Sequence, residues 1–329
     1  MDAVRVRKVA SMPALLLLGA VGFGAQLINS ALGMGYGVSS TTFLLAVGTA
    51  PALAAATVNF SQVGSQLVSG VAHWRFGNVD WPVVWRIGLP GAVGAFAGAT
   101  FLARLATAHA RPLMSAILLV LGTYILVRFT LRGTPQLRPG RLRSRFLAPL
   151  GLVGGFLNST GGGGSGPVFT TALLASGKLE PRKVIGSISA AEFLVVVAGS
   201  AGFLLGLGLA GIDLGWVAAM LLGGVLAAPI AAWLARHIPP RMLGSLVGGL
   251  IVVTNVRTAL NAEALDPGPA VRAAVLAGLV LLWGAAVAWS AYAHRAAAAR
   301  ALAPAAGGQP ALAGEPAAVS RRAAAPPPR

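Results

Sequence analysis

Two stretches of this chain gather hydrogen-bond donors inside otherwise apolar sequence. The first, LINSALGMGYGVSSTTFLLAVG at 27–48, carries Asn29, then Gly33, Gly35 and Gly37, then Ser39, Ser40, Thr41 and Thr42. The second, LNSTGGGGSGPVFTTALLASG at 157–177, carries Asn158, the run Gly161 to Gly164, then Ser165, Gly166, Thr170 and Thr171. Each glycine costs up to about 1 kcal/mol relative to alanine within a helix, so both segments predict helix breaks. A break frees the N–H groups of the helix that resumes after it, expected here at about 38–48 and 167–177. Those N–H groups, the positive end of the helix dipole and the hydroxyls suit a small anion. Substrate binding is therefore expected at Asn29, Gly33, Gly35, Gly37, Ser39, Thr41, Asn158, Gly162, Gly164, Ser165 and Thr170.

Small residues also let membrane helices pack closely. Duplication in register favours a ligand site instead: at a constant offset of 129, 11 of the 20 positions from 29 to 48 are identical, with Asn-Ser and Thr-Thr preserved. After a one-residue slip, Thr57, Asn59 and Gln62 face Ser187, Ser189 and Glu192. Glu192 falls inside an apolar span, where an acid is expensive and usually functional. We expect coupling, most simply to protons, to involve Glu192, its counterpart Gln62, and His73 near the end of its span. A structural hydrogen bond by Glu192 and an interfacial place for His73 beside Trp74 are the plainer alternatives. Asp80 and Asp213 read as helix N-caps.

The elements that must position these residues follow from composition. Of 329 residues, 56% are hydrophobic and 10% charged, against roughly a quarter charged in soluble domains. Apolar runs long enough to cross a bilayer recur near 52–73, 83–104, 112–131, 183–209, 214–235, 242–261 and 272–293, with ambiguous material at 12–49 and 146–177. The expected fold is therefore an all-α polytopic membrane protein of the cytoplasmic membrane. The net charge of +17 concentrates at span ends and tails, where it orients the chain in the membrane, and does not imply nucleic acid. With no cysteine, disulfides and thiolate metal sites are excluded; no metal or cofactor is expected. Partners are a small anionic substrate and the lipid bilayer, with homo-oligomerisation left open. The basic then apolar start is read as uncleaved.

Organisation follows from the repeat. Residues 12–131 and 146–261 form two related units joined by a basic connector, 132–145; an extra span at 272–293 and an Ala/Pro-rich tail at 296–329 follow. From Arg128 to Arg145 there are six arginines and no acid, which places that segment on the cytoplasmic side. If each unit is a glycine-broken re-entrant hairpin plus about three spans, the repeats are inverted, as in many transporters. Full crossing by residues 12–31 would change the count.

The segments GMGYG, HWRFGNVDW and LNSTGGGGSGP make the chain resemble the TauE/SafE sulfite exporter family of bacterial membrane transporters, over about 15–262. The resemblance implies export of a small anion such as sulfite, an organosulfonate or a related sulfur or carboxylate anion. The first copy is less glycine-rich than the family's common pattern, implying an asymmetric pair of cradles. A passive anion channel is the nearer alternative. The remote one is a rhomboid-like intramembrane serine hydrolase, with Ser165 as nucleophile and His73 or His237 as base.

Overall fold

A computed structural model of the protein describes residues 12–32, 34–131, 142–163, 165–209, 212–237, 240–260 and 267–302. Gly33, Gly164, residues 132–141 of the connector and the tail from 303 lie outside the described residues. All regular structure among the described residues is helical: α1 (Met12–Leu32), α2 (Tyr36–Ala46), α3 (Pro51–Arg75), α4 (Trp81–Arg104), α5 (Thr107–Leu131), α6 (Ser144–Thr160), α7 (Ser165–Ser176), α8 (Pro181–Leu207), α9 (Leu214–His237), α10 (Pro240–Leu260) and α11 (Pro269–Leu302).

Local chemistry sets these boundaries. Proline opens α3 and α8, where its missing N–H would have had no partner in the helix. Asp80 Oδ1 accepts from the Val83 N–H at 3.2 Å at the start of α4. Asp213 Oδ1 caps α9, accepting from the N–H groups of Gly215 and Trp216 at 2.9 and 3.1 Å. Both aspartates are caps, as their positions predicted. The breaks between α1 and α2 and between α6 and α7 turn on glycines in positive-φ backbone: Gly35 at 107°, Gly162 at 70° and Gly163 at 122°.

By length and composition, α1, α4, α5, α8 and α11 each contain a segment able to cross a membrane. At about 1.5 Å per residue, α3 is also long enough, but Thr57, Asn59, Ser61, Gln62 and Gln66 are buried along it and lower its hydropathy. The described apolar parts of α9 and α10 are 214–227 and 244–260. At 11 and 12 residues, α2 and α7 are too short to span. This is a multi-pass membrane protein. Exposed Leu89, Val93, Val120, Leu205, Leu281 and Leu282 give it the apolar outer surface that lipid requires. Trp81 lies with its ring centroid 6.3 Å from that of Trp74 and 6.1 Å from that of Trp85, a cluster suited to the interface.

Helix pairing crosses between the two ends of the chain: α4 packs on α6, α1 on α9, α3 on α8 and α5 on α10. Glycine permits the closest of these approaches. A methyl added to Gly98 of α4 would lie 2.6 Å from the Phe156 carbonyl oxygen of α6, and one added to Gly22 of α1 would lie 2.8 Å from the Met220 Cα of α9. The core divides into two apolar clusters. One surrounds α2 through Tyr36, Val38, Leu44 and Leu45, and the other surrounds α7 through Phe169 and Leu173. The first turns of each short helix, next to its break, are thus enclosed by protein, as irregular backbone in a membrane demands.

Candidate functional site

The two breaks meet. A methyl on Gly37, in the first turn of α2, would stand 2.9 Å from the carbonyl oxygens of both Gly162 and Gly163, and a methyl on Gly163 would stand 2.7 Å from the Gly37 carbonyl carbon. Thr41 Oγ1, one turn further along α2, donates to Gly162 O at 2.5 Å. The segments therefore cross backbone on backbone, with no room for a side chain on either. Gly35 is the N-cap of α2 and no side chain caps the helix; the first helical bond runs from the Ser39 N–H to Gly35 O. Three N–H groups at the start of α2, those of Tyr36, Gly37 and Val38, consequently have no carbonyl within the helix to bond.

Beside the crossing runs a buried chain of polar side chains. Gln66 Nε2 on α3 donates to Glu192 Oε2 on α8 at 2.5 Å. The Ser165 hydroxyl, first residue of α7, lies 2.8 Å from Glu192 Oε1 and 3.0 Å from Asn158 Oδ1 on α6. Asn158 Nδ2 donates to Asn59 Oδ1 on α3 at 3.0 Å, and Asn59 Nδ2 donates to Ala55 O at 2.9 Å. Glycine again makes the space: a Cβ at Gly166 would lie 3.0 Å from Glu192 Oε1, and one at Gly199 would lie 2.8 Å from both Asn59 Oδ1 and Ser159 Oγ. Four helices are thereby tied together by five side chains in a buried region, where such bonds are strong and unpaired groups costly.

The first copy is built differently. Tyr36 occupies the position equivalent to Ser165, is buried, and sends its hydroxyl to Ser61 Oγ at 3.3 Å and Met220 O at 3.4 Å. Gln62, the counterpart of Glu192, is buried with its Oε1 unpartnered, and the hydroxyls of Ser39, Ser40, Thr57, Ser159 and Ser200 likewise have no partner within the described protein. A buried hydroxyl left so costs about 1–3 kcal/mol, a deficit that a polar ligand or water removes.

The structure thus joins Gly37, Gly162 and Thr41 at the crossing, and Asn158, Ser165 and Glu192 in the polar chain. Gly35 caps α2, Ser39 sits on its first turns, and Thr170 is buried on α7. Asn29 is half-buried on α1, outside the polar chain. His73 lies near the end of α3, seven positions beyond Gln66, with a buried Nδ1 that has no partner within the described protein; it is not brought to Glu192. Gly33 and Gly164 are outside the described residues. As for a serine nucleophile, the Ser165 hydroxyl is engaged by Glu192 and Asn158, and His73 is not its partner; the His237 side chain is outside the described residues. Gln66 is the site residue that sequence reasoning passed over, and Asn59 was read only as the repeat counterpart of Ser189. The spacing of Asn59, Gln62 and Gln66 on one helical face was the available signal.

A second polar feature lies off the crossing. Arg86, Arg143, Arg145 and Lys178, with Ser144 and Ser176, line a recess of about 1200 Å³ where α6 begins and α7 ends.

Comparison with known proteins gives consistent results. The family described as Sulfite exporter TauE/SafE matches residues 18–258. The chain is 44% identical over 252 residues to "Probable membrane transporter protein YtnM" of Bacillus subtilis (strain 168), an alignment covering 76% of this chain and 84% of that protein. No solved structure matches the chain.

Proposed function

We propose, from the premise that the chain belongs to the sulfite exporter TauE/SafE family of membrane transporters, that it exports a small sulfur-containing or related carboxylate anion past the crossing of its glycine breaks. The observation that carries this reading is the crossing itself, where α2 starts directly after the positive-φ Gly35 and the positive-φ pair Gly162 and Gly163 precedes α7. Free N–H groups at such starts need partners inside a membrane, and an anion supplies them while matching the dipole. The unpartnered hydroxyls of Ser39, Ser40 and Thr57 add donors.

Two inverted repeats are the arrangement we propose around that region. Helices α1 to α5 run 21, 11, 25, 24 and 25 residues, and α6 to α10 run 17, 12, 27, 24 and 21. The pairing of α4 with α6 corresponds to that of α9 with α1 under exchange of the two series. Inversion, rather than parallel repetition, rests on the clustering of arginine and lysine at one side. The two breaks then form two re-entrant points of one midplane site, and the halves rock around it. Glu192 is the coupling acid, being the carboxylate bonded into the chain beside the crossing.

The test is flux. Purified protein in proteoliposomes is expected to carry radiolabelled sulfite, thiosulfate or taurine saturably, in preference to chloride. Failure to move any of these anions, or acetate, by protein that is folded and correctly inserted would overturn the proposal.

A further inference from the structure

The Ser165 hydroxyl faces two acceptors with one proton. Asn59 donates through Nδ2 to Ala55 O of its own helix, which fixes its Oδ1 toward Asn158. Asn158 must then present Nδ2 to Asn59, leaving its Oδ1 directed at Ser165. On the other side of Ser165 stands Glu192 Oε1, while Glu192 Oε2 is held by Gln66. With a proton on Oε1, Glu192 donates to the Ser165 oxygen, and the Ser165 O–H donates to Asn158 Oδ1: every group in the chain is satisfied in one direction. With Glu192 ionised, the Ser165 O–H turns to donate to the carboxylate Oε1 in a charge-assisted bond, and Asn158 Oδ1 loses its donor.

The Ser165–Asn158 bond spans the break between α6 and α7, joining the last turn of one helix to the first residue of the next. Inside the same break the Gly161 N–H bonds Leu157 O at 2.8 Å and the Gly163 N–H bonds Asn158 O at 2.5 Å. We infer that Ser165 and Asn158 form a clasp across the second glycine break that closes when Glu192 carries a proton and opens when it does not. Ser165 and Asn158 are positioning residues in this account, and Gln66 orients the carboxylate so that Oε1 faces the clasp. Because Tyr36 replaces Ser165 in the first copy and Gln62 replaces Glu192, the clasp belongs to the second half alone. Its consequence for transport rests on the reading given under Proposed function; the clasp itself does not.

Other ionisable groups on α8 and on the helices packed against it are His73 and Arg75 on α3, Asp80 and Arg86 with Arg104 at the ends of α4, Arg143 and Arg145 at the start of α6, Lys178 just past α7, and Glu180, ion-paired to Arg182, with Lys183 at the start of α8. The carboxylate's hydrogen-bond partners are Gln66 and Ser165, both neutral, so its own protonation sets the state of the clasp.

Hydrogen–deuterium exchange of the purified protein, read at the amides of 158–166 from about pH 5 to about pH 9 and corrected for intrinsic exchange, tests this without any substrate. Wild type is expected to lose protection severalfold in that segment as pH rises. Glu192→Gln, whose amide donates to Ser165 as a protonated acid would, is expected to stay protected throughout. Ser165→Ala is expected to be equally unprotected at both ends. A pH-independent wild type, or a Glu192→Gln protein that follows wild type, overturns the clasp. The expected pattern in a protein that moves no anion would keep the clasp and remove the proposed transport.

Discussion

Gly163→Ala tests the crossing of the breaks most sharply. Gly163 sits at φ 122°, a conformation that costs an L residue about 1–3 kcal/mol. Its new methyl would also meet the Gly37 backbone, 2.7 Å from the carbonyl carbon, where no flexible side-chain end can yield; overpacking of this kind adds about 1–3 kcal/mol. The sum, roughly 2–6 kcal/mol, corresponds to a fall in melting temperature on the order of 10 °C, at about 2–4 °C per kcal/mol for chains of this general size. Gly77→Ala is the matched control. Gly77 has φ 69° and no atom within 4 Å of an added methyl, so only the backbone strain of about 1–2 kcal/mol applies. Thermal unfolding in detergent, followed by tryptophan fluorescence, is expected to place Gly163→Ala well below Gly77→Ala, with Gly37→Ala between them. Equal melting of Gly163→Ala and Gly77→Ala would refute the backbone contact on which the site is built.

Two further expectations concern the bonds around the crossing. Thr41→Val removes the hydroxyl that serves Gly162 O and is expected to cost about 1–3 kcal/mol in the same melting assay, with Thr41→Ser recovering most of the loss. Asn59→Ala and Asn158→Ala remove the two ends of one bond, so the double variant is expected to fall short of the sum of the singles by about 0.5–3 kcal/mol; strict additivity would mean that the amides do not pair.

Much of the helical frame was legible because its signals are local. Proline at the starts of α3 and α8 and aspartate before α4 and α9 act through their own backbone and need no tertiary partner. The glycine clusters announced interruptions, and the short helices appeared where expected, but each starts two residues earlier, at Tyr36 and Ser165. The reason is that only Gly35, Gly162 and Gly163 among the described glycines there take positive φ, while Gly37 and Gly166 are helical. Glycine count marks a break; it does not say which glycine turns. What stayed hidden depends on distant contact. That Gly37 meets Gly163 requires the register of one break against the other, over 100 positions apart. Gln66 escaped for a different reason: the repeat that exposed Gln62 and Glu192 pairs it with Val196, so duplication gave no hint. Asn59 was visible opposite Ser189, but its bond is to Asn158 rather than to its counterpart.

Accumulation of labelled sulfite by proteoliposomes under an imposed pH gradient tests the central claim most directly, that a coupled carrier operates around the crossing and Glu192. Wild type is expected to concentrate the anion beyond electrochemical equilibrium in a gradient-dependent way, and Glu192→Gln to equilibrate it without accumulation. Wild-type protein that only equilibrates the anion, as a channel does, or a Glu192→Gln protein that accumulates it equally well, would contradict the account.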